Sequence, residues 1–182
     1  MKFINTDIAD VKIVEVNLFG DERGFFMETF RADEFIKKTG AKPFVQDNHS
    51  KSTKGILRGL HYQQTQTQGK LVRVVSGAVY DVAVDMRQSS PTFGKAVGVI
   101  LSAENKRQLW VPEGFAHGFY VMTDSAEFVY KCTDYYHPTS EISVLWNDVE
   151  LAIEWPLIKG ESPQLSDKDA TGLSFQDAPK FD

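Results

Sequence analysis

One stretch of the chain, residues 55–77, combines a strong strand pattern with side chains suited to chemistry. Its two halves, Gly-Ile-Leu-Arg-Gly-Leu-His-Tyr-Gln and Gly-Lys-Leu-Val-Arg-Val-Val-Ser-Gly, alternate or run apolar and are rich in β-branched residues, as strands are. The polar insert Gln64–Gln68 between them is typical of a surface loop. We therefore expect two strands joined as a hairpin, with His61 on the first, Lys70 at the start of the second, and a functional site beside them.

The spacing of this stretch resembles the first motif of the cupin superfamily, which has a glycine, a His-x-His pair, a glutamate and a closing glycine. Gly55, His61 and Gly77 occupy matching positions. The second cupin motif, Pro-x-Gly-x-x-His, is matched by Pro112–His117. The two motifs together imply an all-β fold, a cupin-type jelly-roll β-barrel.

Two metal-ligand positions of the cupin motif carry other residues in this chain. A metal cupin uses three histidines and one carboxylate, which suit a first-row transition metal. Here the second histidine is replaced by Gln63 and the carboxylate by Lys70. An ammonium group has no lone pair, and its charge would repel a divalent ion. We expect a pocket without metal or cofactor, in which Lys70 supplies the positive charge.

A histidine beside a buried cation suits proton abstraction next to a carbonyl. The imidazole group, with a reference pKa of roughly 6.5, can take a proton from carbon near neutral pH. The ammonium of Lys70 could stabilise the enolate oxygen that develops as the proton leaves. His61 and Lys70 therefore predict an enzyme that forms an enolate.

Length and composition indicate one soluble domain spanning residues 1–182. A chain of 182 residues with 42% hydrophobic content can bury a substantial core. The single cysteine, Cys132, precludes an internal disulfide and favours a reducing compartment. Charges interrupt Met1–Val16, so we expect neither a signal peptide nor a membrane span, and a cytoplasmic location.

The charge distribution indicates a small anionic ligand. A net charge of −5 argues against a nucleic-acid partner. Residues 48–80 nevertheless contain no acidic side chain. The same segment carries five cations: Lys51, Lys54, Arg58, Lys70 and Arg73. Solvated positions on strand edges would account equally well for Lys51 and Lys54.

The remainder of the chain reads as many short strands bounded by turn residues, which is typical of a jelly roll. Asp33–Lys38, followed by Gly40, predicts a short helix, and Ser166–Ala170 predicts a helix start. The predicted strands are Val11–Asn17, Phe25–Phe30, Gly77–Met86, Lys95–Ser102, Arg107–Val111, Gly118–Thr123, Glu127–Cys132 and Ile142–Trp146.

A wider resemblance rests on six segments, which are Arg23–Glu28, Gln46–Ser50, Gly55–Gln63, Gly69–Val74, Val111–Phe119 and Leu165–Asp169. Together they resemble the dTDP-4-dehydrorhamnose 3,5-epimerase family. The resemblance implies a metal-free cupin homodimer that inverts C3 and C5 of dTDP-4-dehydro-6-deoxy-D-glucose. The product would be dTDP-4-dehydro-L-rhamnose, and the reaction would precede the reductase step in dTDP-L-rhamnose biosynthesis.

The resemblance also implies the catalytic residues. His61 would be the base, and Tyr130 the acid on the opposite face of the sugar. Asp169 would accept a hydrogen bond from His61, and Lys70 would hold the C4 oxygen. From the residues alone, Tyr130 could be an ordinary aromatic of its strand. Asp169 could equally serve the capping-box pattern at the helix start.

The remaining matches imply substrate-binding positions. Arg23 and Arg58 would contact the diphosphate, for which a guanidinium fork is suited. His117 would line the pocket, although a hydrogen-bonded core histidine is an equal alternative. One hypothesis is that Arg23 and Glu28 act in the site of the partner subunit of the homodimer. Other matching nucleotide or sugar contacts are Glu28, Gln46, Asn48, Glu141 and Lys168.

Arg58 and His61 do not fit a regular strand together. They are three residues apart, so in a regular strand their side chains face opposite sides. Either Gly59 marks a bulge that redirects one of them, or Arg58 serves another part of the site.

Other activities are compatible with the same residues. A monofunctional 3- or 5-epimerase, or a dTDP-keto-sugar ketoisomerase, could use the same His, Lys and Tyr. A non-catalytic sugar-binding cupin would need neither a base with an acid partner nor a buried lysine. We favour the bifunctional epimerase because the base, the acid, the enolate cation and the diphosphate arginines are all present.

Overall fold

The computed structural model describes all residues from 1 to 182 and contains thirteen strands and two short α-helices. The helices are α1 (Ala32–Thr39) and α2 (Asp167–Ala170), and a 3₁₀ turn covers Pro138–Ser140. The strands are β1 (Lys2–Asn5), β2 (Lys12–Glu15), β3 (Leu18–Asp21), β4 (Gly24–Met27), β5 (Gln46–Thr53), β6 (Leu57–Gln63), β7 (Lys70–Ser76), β8 (Ala78–Asp85), β9 (Ala96–Ser102), β10 (Gln108–Val111), β11 (Phe115–Val121), β12 (Ser125–Cys132) and β13 (Glu141–Ser143).

Two antiparallel sheets pack against each other. The larger has the order β1-β2-β10-β7-β12-β5, and the smaller has the order β13-β6-β11-β8-β9. Their inner faces share one apolar core, in which Phe119 of β11 stacks on Phe128 of β12 with ring centroids 4.4 Å apart. This two-sheet arrangement confirms the predicted all-β jelly roll with a few short helices. No helix is long and apolar enough to cross a membrane.

The outer face of the larger sheet is covered by α1. Acidic residues in its first turn and lysines in its last complement the helix dipole, and Gly40 ends it in the left-handed conformation, with φ 70°. Phe35 on the buried side of α1 packs edge-on against Trp110 at 5.3 Å between ring centroids. The helix predicted over Asp33–Lys38 is confirmed, including its glycine stop.

The outer face of the smaller sheet is covered by the C-terminal segment. Phe175 and Ala178 pack there with Leu60 and Tyr62 of β6. Backbone bridges at Gln164 and Leu173 hold the segment against the sheet on either side of α2. The C-terminal segment thereby places α2 beside β6.

The predicted hairpin of residues 55–77 is wrong in its pairing. Both halves are strands, β6 and β7, but they lie in different sheets. Strand β6 pairs with β11 and β13, whereas β7 pairs with β10 and β12, so neither has a free edge for the other. Gln64–Gln68 therefore belongs to a crossing between sheets. Because each strand buries one face against the opposite sheet, tertiary packing overrides pairing of neighbours in sequence.

Strand β11 begins earlier than predicted, at Phe115 rather than Gly118. The glycine of the second motif, Gly114, adopts φ 87° immediately before the strand, so the turn ends there. His117 consequently lies inside β11, where every residue is buried.

Candidate active site

A cavity of about 640 Å³ lies between the two sheets, and both sheets contribute polar side chains to it. His61 and His117 come from the smaller sheet, on β6 and β11. Lys70 and Tyr130 come from the larger sheet, on β7 and β12. A molecule in the cavity would therefore have the histidines on one side and the lysine and tyrosine on the other.

His61 is paired with a buried carboxylate. Its Nε2 lies 2.5 Å from Oδ1 of Asp169, whose side chain is 4% exposed. Ser166 Oγ donates to the other carboxylate oxygen at 2.7 Å. Burial opposes ionisation of Asp169, but the hydrogen bonds from His61 and Ser166 outweigh it and hold its pKa below the ordinary value.

The helix cap and the His61 pair are built from the same residues. Ser166 is the N-cap of α2 and its Oγ accepts from the backbone N–H of Asp169 at 3.2 Å. The two alternatives raised by the sequence for Asp169 therefore coexist, since the capping serine also orients the carboxylate that faces His61.

The pairing determines which nitrogen of His61 faces the cavity. Because the Asp169 carboxylate is an acceptor only, Nε2 carries the hydrogen and Nδ1 carries the lone pair. Nδ1 has no hydrogen-bond partner in the protein. The basic atom available to a ligand is therefore Nδ1.

Burial shifts the pKa values of the two groups on the opposite wall. Burial lowers the pKa of Lys70, while the nearby Cys132, Glu141 and Asp81 act in the other direction. Burial raises the pKa of Tyr130 to about 12, so the phenol keeps its proton over the whole physiological range. The wall thus presents the amine of Lys70 and one neutral proton donor.

A second histidine–aspartate pair lies beside the first. His117 sits directly opposite His61 on the neighbouring strand. Its Nε2 lies 2.9 and 3.0 Å from the two carboxylate oxygens of Asp81, whose side chain is fully buried. Burial raises the pKa of Asp81, whereas the nearby His117 and Lys70 act to lower it. His117 is thus hydrogen-bonded and also lines the cavity, so both alternatives of the sequence analysis apply.

A bulge at Gly59 brings Arg58 to the same cavity as His61. His117 pairs with His61 and Phe119 with Arg58, so three steps along β6 match two along β11. Gly59 has φ 123°, and a Cβ there would meet the Cα of Gly118 at 2.5 Å. Arg58 lines the cavity and donates from Nε to Ser52 Oγ at 3.0 Å. The bulge interpretation is confirmed.

Polar side chains surround the outer part of the cavity. Glu141 Oε2 accepts from Lys168 Nζ at 2.8 Å and from the Tyr136 hydroxyl at 2.9 Å. Burial opposes ionisation of Glu141, yet these bonds keep its pKa below the ordinary value. Gln46 accepts from the backbone N–H of Tyr136 at 2.9 Å and donates to Asn48 at 3.1 Å.

Ten of the twelve predicted site residues line this cavity, and Arg23 and Glu28 do not. Arg23 lies at the turn of the separate β3–β4 hairpin, with its side chain 90% exposed and paired with Asp21. Lys51 and Lys54 also lie outside, in surface ion pairs with Glu127 and Asp124.

Sequence reasoning missed the residues that support the site rather than line its centre. Asp81 was detectable in principle, because it is a lone charge within the apolar run Val79–Val84. Ser166 was noticed only as a helix cap. No motif or spacing in the sequence indicates Tyr136 as a residue of the cavity. No group of three or more His, Cys, Asp or Glu side chains is arranged to hold a metal ion.

Fold and cavity together define the class of protein: a cupin-type jelly roll whose ligand cavity carries histidine–aspartate pairs and a lysine. A model of the family described as dTDP-4-dehydrorhamnose 3,5-epimerase matches residues 5–177. The chain therefore belongs to the dTDP-4-dehydrorhamnose 3,5-epimerase family, and it is an isomerase.

Individual relatives agree with this assignment. The chain is 61% identical over 183 residues to dTDP-4-dehydrorhamnose 3,5-epimerase of Shigella flexneri, covering 100% of this chain and 99% of that protein. It is 59% identical to dTDP-6-deoxy-D-glucose-3,5-epimerase of Legionella pneumophila, solved in complex with dTDP-4-keto-L-rhamnose, with a TM-score of 0.94 over 98% of this chain and 94% of that chain. For the Bacillus anthracis epimerase, solved with TDP and PPi bound, the identity is 48% and the TM-score 0.89, over 95% of this chain and 98% of that chain.

Proposed function

We propose that the protein inverts C3 and C5 of dTDP-4-dehydro-6-deoxy-D-glucose, giving dTDP-4-dehydro-L-rhamnose, with His61 as base and Tyr130 as acid. One observation carries the assignment of roles: the two side chains line one cavity from facing sheets. Inversion requires a proton to leave one face of a carbon and another to arrive at the opposite face. The Legionella relative holds dTDP-4-keto-L-rhamnose, which is the expected product.

In the proposed mechanism, Nδ1 of His61 takes the proton from C3, and the C–H electron pair becomes the enolate of the C4 carbonyl. Asp169 accepts the hydrogen bond from Nε2 and stabilises the imidazolium that forms. Lys70 Nζ stabilises the enolate oxygen. Tyr130 then donates its proton to the opposite face of the carbon.

The same four groups can serve C5 after His61 has released its proton to water and Tyr130 has taken one up from water. Both C3 and C5 are bonded to C4, so either carbanion delocalises onto the same oxygen. One lysine beside that oxygen therefore stabilises both enolates. We assign His117, which Asp81 holds next to His61, a hydrogen bond from Nδ1 to the sugar.

The nucleotide part requires cationic and polar contacts. We assign Arg58 to the diphosphate, because its guanidinium lines the cavity and has only Ser52 as a side-chain partner. Gln46, Asn48, Glu141 and Lys168 are assigned to the nucleotide or sugar, because all four line the outer part of the same cavity.

We further propose a homodimer in which Arg23 and Glu28 act in the partner's cavity. The β3–β4 hairpin forms a two-stranded sheet of its own and is exposed along most of its length. It presents four large apolar side chains to solvent, which is unusual for a hairpin that stays uncovered. These side chains are Leu18, Phe19, Phe25 and Phe26, with exposures of 50–69%.

The decisive experiment follows dTDP-4-dehydro-6-deoxy-D-glucose by proton NMR with the protein in D₂O and EDTA. Deuterium incorporation and inversion at both carbons are expected. Exchange at one carbon only would indicate a monofunctional epimerase, and a migrating carbonyl would indicate a ketoisomerase. Binding of dTDP without any exchange would leave a non-catalytic binding protein and contradict the roles given to His61 and Tyr130.

A further inference from the structure

Gln63 stands where a metal cupin has its second histidine, but its side chain is fully engaged elsewhere. It is 4% exposed. Its Nε2 donates to the backbone carbonyls of Gln66 at 2.6 Å and Tyr135 at 3.1 Å. Its Oε1 accepts from the backbone N–H of His137 at 2.9 Å. One side chain therefore joins the loop that crosses between the sheets to a second segment, Tyr135–His137, which we call the rim segment.

Apart from hydrogen bonds to residues within three positions in the chain, such as Asp134 and Ser140, the rim segment has few bonds to hold it in place. It lies outside every strand and helix, between β12 and the 3₁₀ turn. At Tyr136 the backbone N–H donates to Gln46 Oε1. Gln63 supplies the bonds on both sides of Tyr136, at the carbonyl of Tyr135 and the N–H of His137. The direction in which Tyr136 projects thus depends on Gln63.

Tyr136 lines the cavity at its edge with solvent. The residue as a whole is half exposed, at 51%, whereas the His61 side chain is 21% exposed and that of His117 is 8% exposed. Its hydroxyl donates to Glu141, which stands directly opposite Gln63 in the pairing of β13 with β6. Because the reacting sugar must reach His61, the rim faces the part of a nucleotide sugar that does not react.

We propose that Gln63 is a positioning residue for substrate binding: it fixes the rim segment and thereby holds Tyr136 against Glu141 at the mouth of the cavity. The inference rests on the proposed nucleotide-sugar activity. Gln63 makes no hydrogen bond to His61, Asp169 or Lys70. Its loss therefore weakens binding and leaves the chemical step nearly unchanged.

The test compares Gln63→Met with Gln64→Met. Gln64 is the next residue, is also partly buried and also donates through Nε2 to a carbonyl, but that carbonyl belongs to Lys180 and Gln64 does not line the cavity. We expect Gln63→Met to raise KM and the Kd for dTDP about tenfold with kcat within about twofold of wild type. Gln64→Met is expected to leave all three values unchanged. Equal values for the two variants, or a fall in kcat alone, would overturn the inference.

A double-mutant cycle separates positioning of Tyr136 from a general structural role. If Gln63 acts through Tyr136, adding Gln63→Met to Tyr136→Ala changes KM no further; additive effects would overturn the proposal. Should Gln63→Met fail to fold, Gln63→Glu replaces it, because its carboxylate keeps the acceptor for His137 and directs an oxygen at the two carbonyls. Wild-type protein that binds dTDP without turnover would contradict the epimerase activity, while the dTDP affinities would still decide the role of Gln63.

Discussion

Asp169 Oδ1 lies 2.5 Å from His61 Nε2 although 108 positions separate the two residues in the chain. The carboxylate is held at the start of a four-residue helix, α2, by its own capping serine. The C-terminal segment is bridged to the smaller sheet on both sides of α2, so the sheet and the helix hold the pair together.

Replacing this carboxylate tests its role directly. In Asp169→Asn the fixed orientation and tautomer of His61 are lost, so kcat is expected to fall by about 10²–10⁴ while dTDP affinity is kept. The helix cap survives, because Ser166 still accepts from the backbone N–H at position 169. Asp167→Asn is the control, since that exposed aspartate lies in the same helix and makes no side-chain hydrogen bond. A wild-type kcat in Asp169→Asn would contradict the assignment.

Tyr130→Phe separates proton removal from proton delivery. With the phenol gone, His61 can still remove and return protons on its own face. Deuterium exchange at C3 and C5 is therefore expected to continue, while inversion falls by about 10²-fold or more. NMR in D₂O measures both in one sample. Tyr135→Phe is the control, because that exposed tyrosine does not line the cavity. Equal loss of exchange and inversion would contradict the role of Tyr130 as the acid.

In the pH profile of kcat, the fall at alkaline pH (the alkaline limb) is expected to follow the deprotonation of Lys70. Burial lowers its pKa below the ordinary 10.5, whereas the pKa of Tyr130 is raised to about 12. As the pH rises, the lysine therefore loses its charge before the tyrosine loses its proton, and kcat should fall below pH 10.5. Lys70→Arg keeps the charge and should move the limb to higher pH. Lys70→Met should lower kcat by about 10²–10³ at pH values below the limb, where the wild-type lysine carries its charge. If kcat fell at the same pH in Lys70→Arg as in wild type, the alkaline limb would have to come from another group.

Most of the strands were predictable because a strand pattern is a local property, whereas most cavity residues were predicted through the family resemblance. Apolar alternation and turn residues located most of the later strands, and the two motifs located His61, Lys70 and His117. Which strands pair is not local. Strands β6 and β7 are close in sequence yet lie in opposite sheets, and only packing of the whole core decides this.

Strand β5 and the hairpin show two other limits. The sequence of β5, Gln-Asp-Asn-His-Ser-Lys-Ser-Thr, has low β-propensity, yet all eight residues pair with β12. Arg23 was placed in the site only by family resemblance, and it lies outside the cavity of its own chain. No local pattern in the sequence distinguishes a residue of this cavity from one that lies outside it.

Asp85 is expected to control stability at acid pH. Its fully buried side chain accepts from Arg87, Ser90 and Thr92, and these bonds outweigh burial and lower its pKa to about 2. Because the folded-state value lies below the ordinary 3.8, the carboxylate stabilises the fold above about pH 4, and this stabilisation is lost as the pH falls towards 2. The shift corresponds to on the order of 2 kcal/mol.

Urea unfolding between about pH 2 and pH 7 measures this contribution. In Asp85→Asn the free energy of unfolding is expected to be lower at neutral pH and to change less between about pH 4 and pH 2. Asp124→Asn is the control, because Asp124 is fully exposed and its one ion pair, with Lys54, is long at 3.9 Å. A pH dependence in Asp85→Asn as steep as in wild type would contradict the prediction.

Mixing two impaired variants tests whether Arg23 serves the partner's cavity. Arg23→Ala is expected to raise KM and His61→Ala to abolish turnover, each in its own homodimer. In a mixed dimer, the cavity that keeps His61 belongs to the Arg23→Ala chain and receives Arg23 from the His61→Ala chain, so one complete site forms. After subunit exchange at equal amounts, about a quarter of all sites would be complete, and activity at low substrate should recover accordingly.

Mixing Tyr130→Phe with His61→Ala is the control, because both residues line the cavity of one chain and no complete site can form. Recovery in neither mixture, or a monomer by light scattering, would place Arg23 outside any shared site.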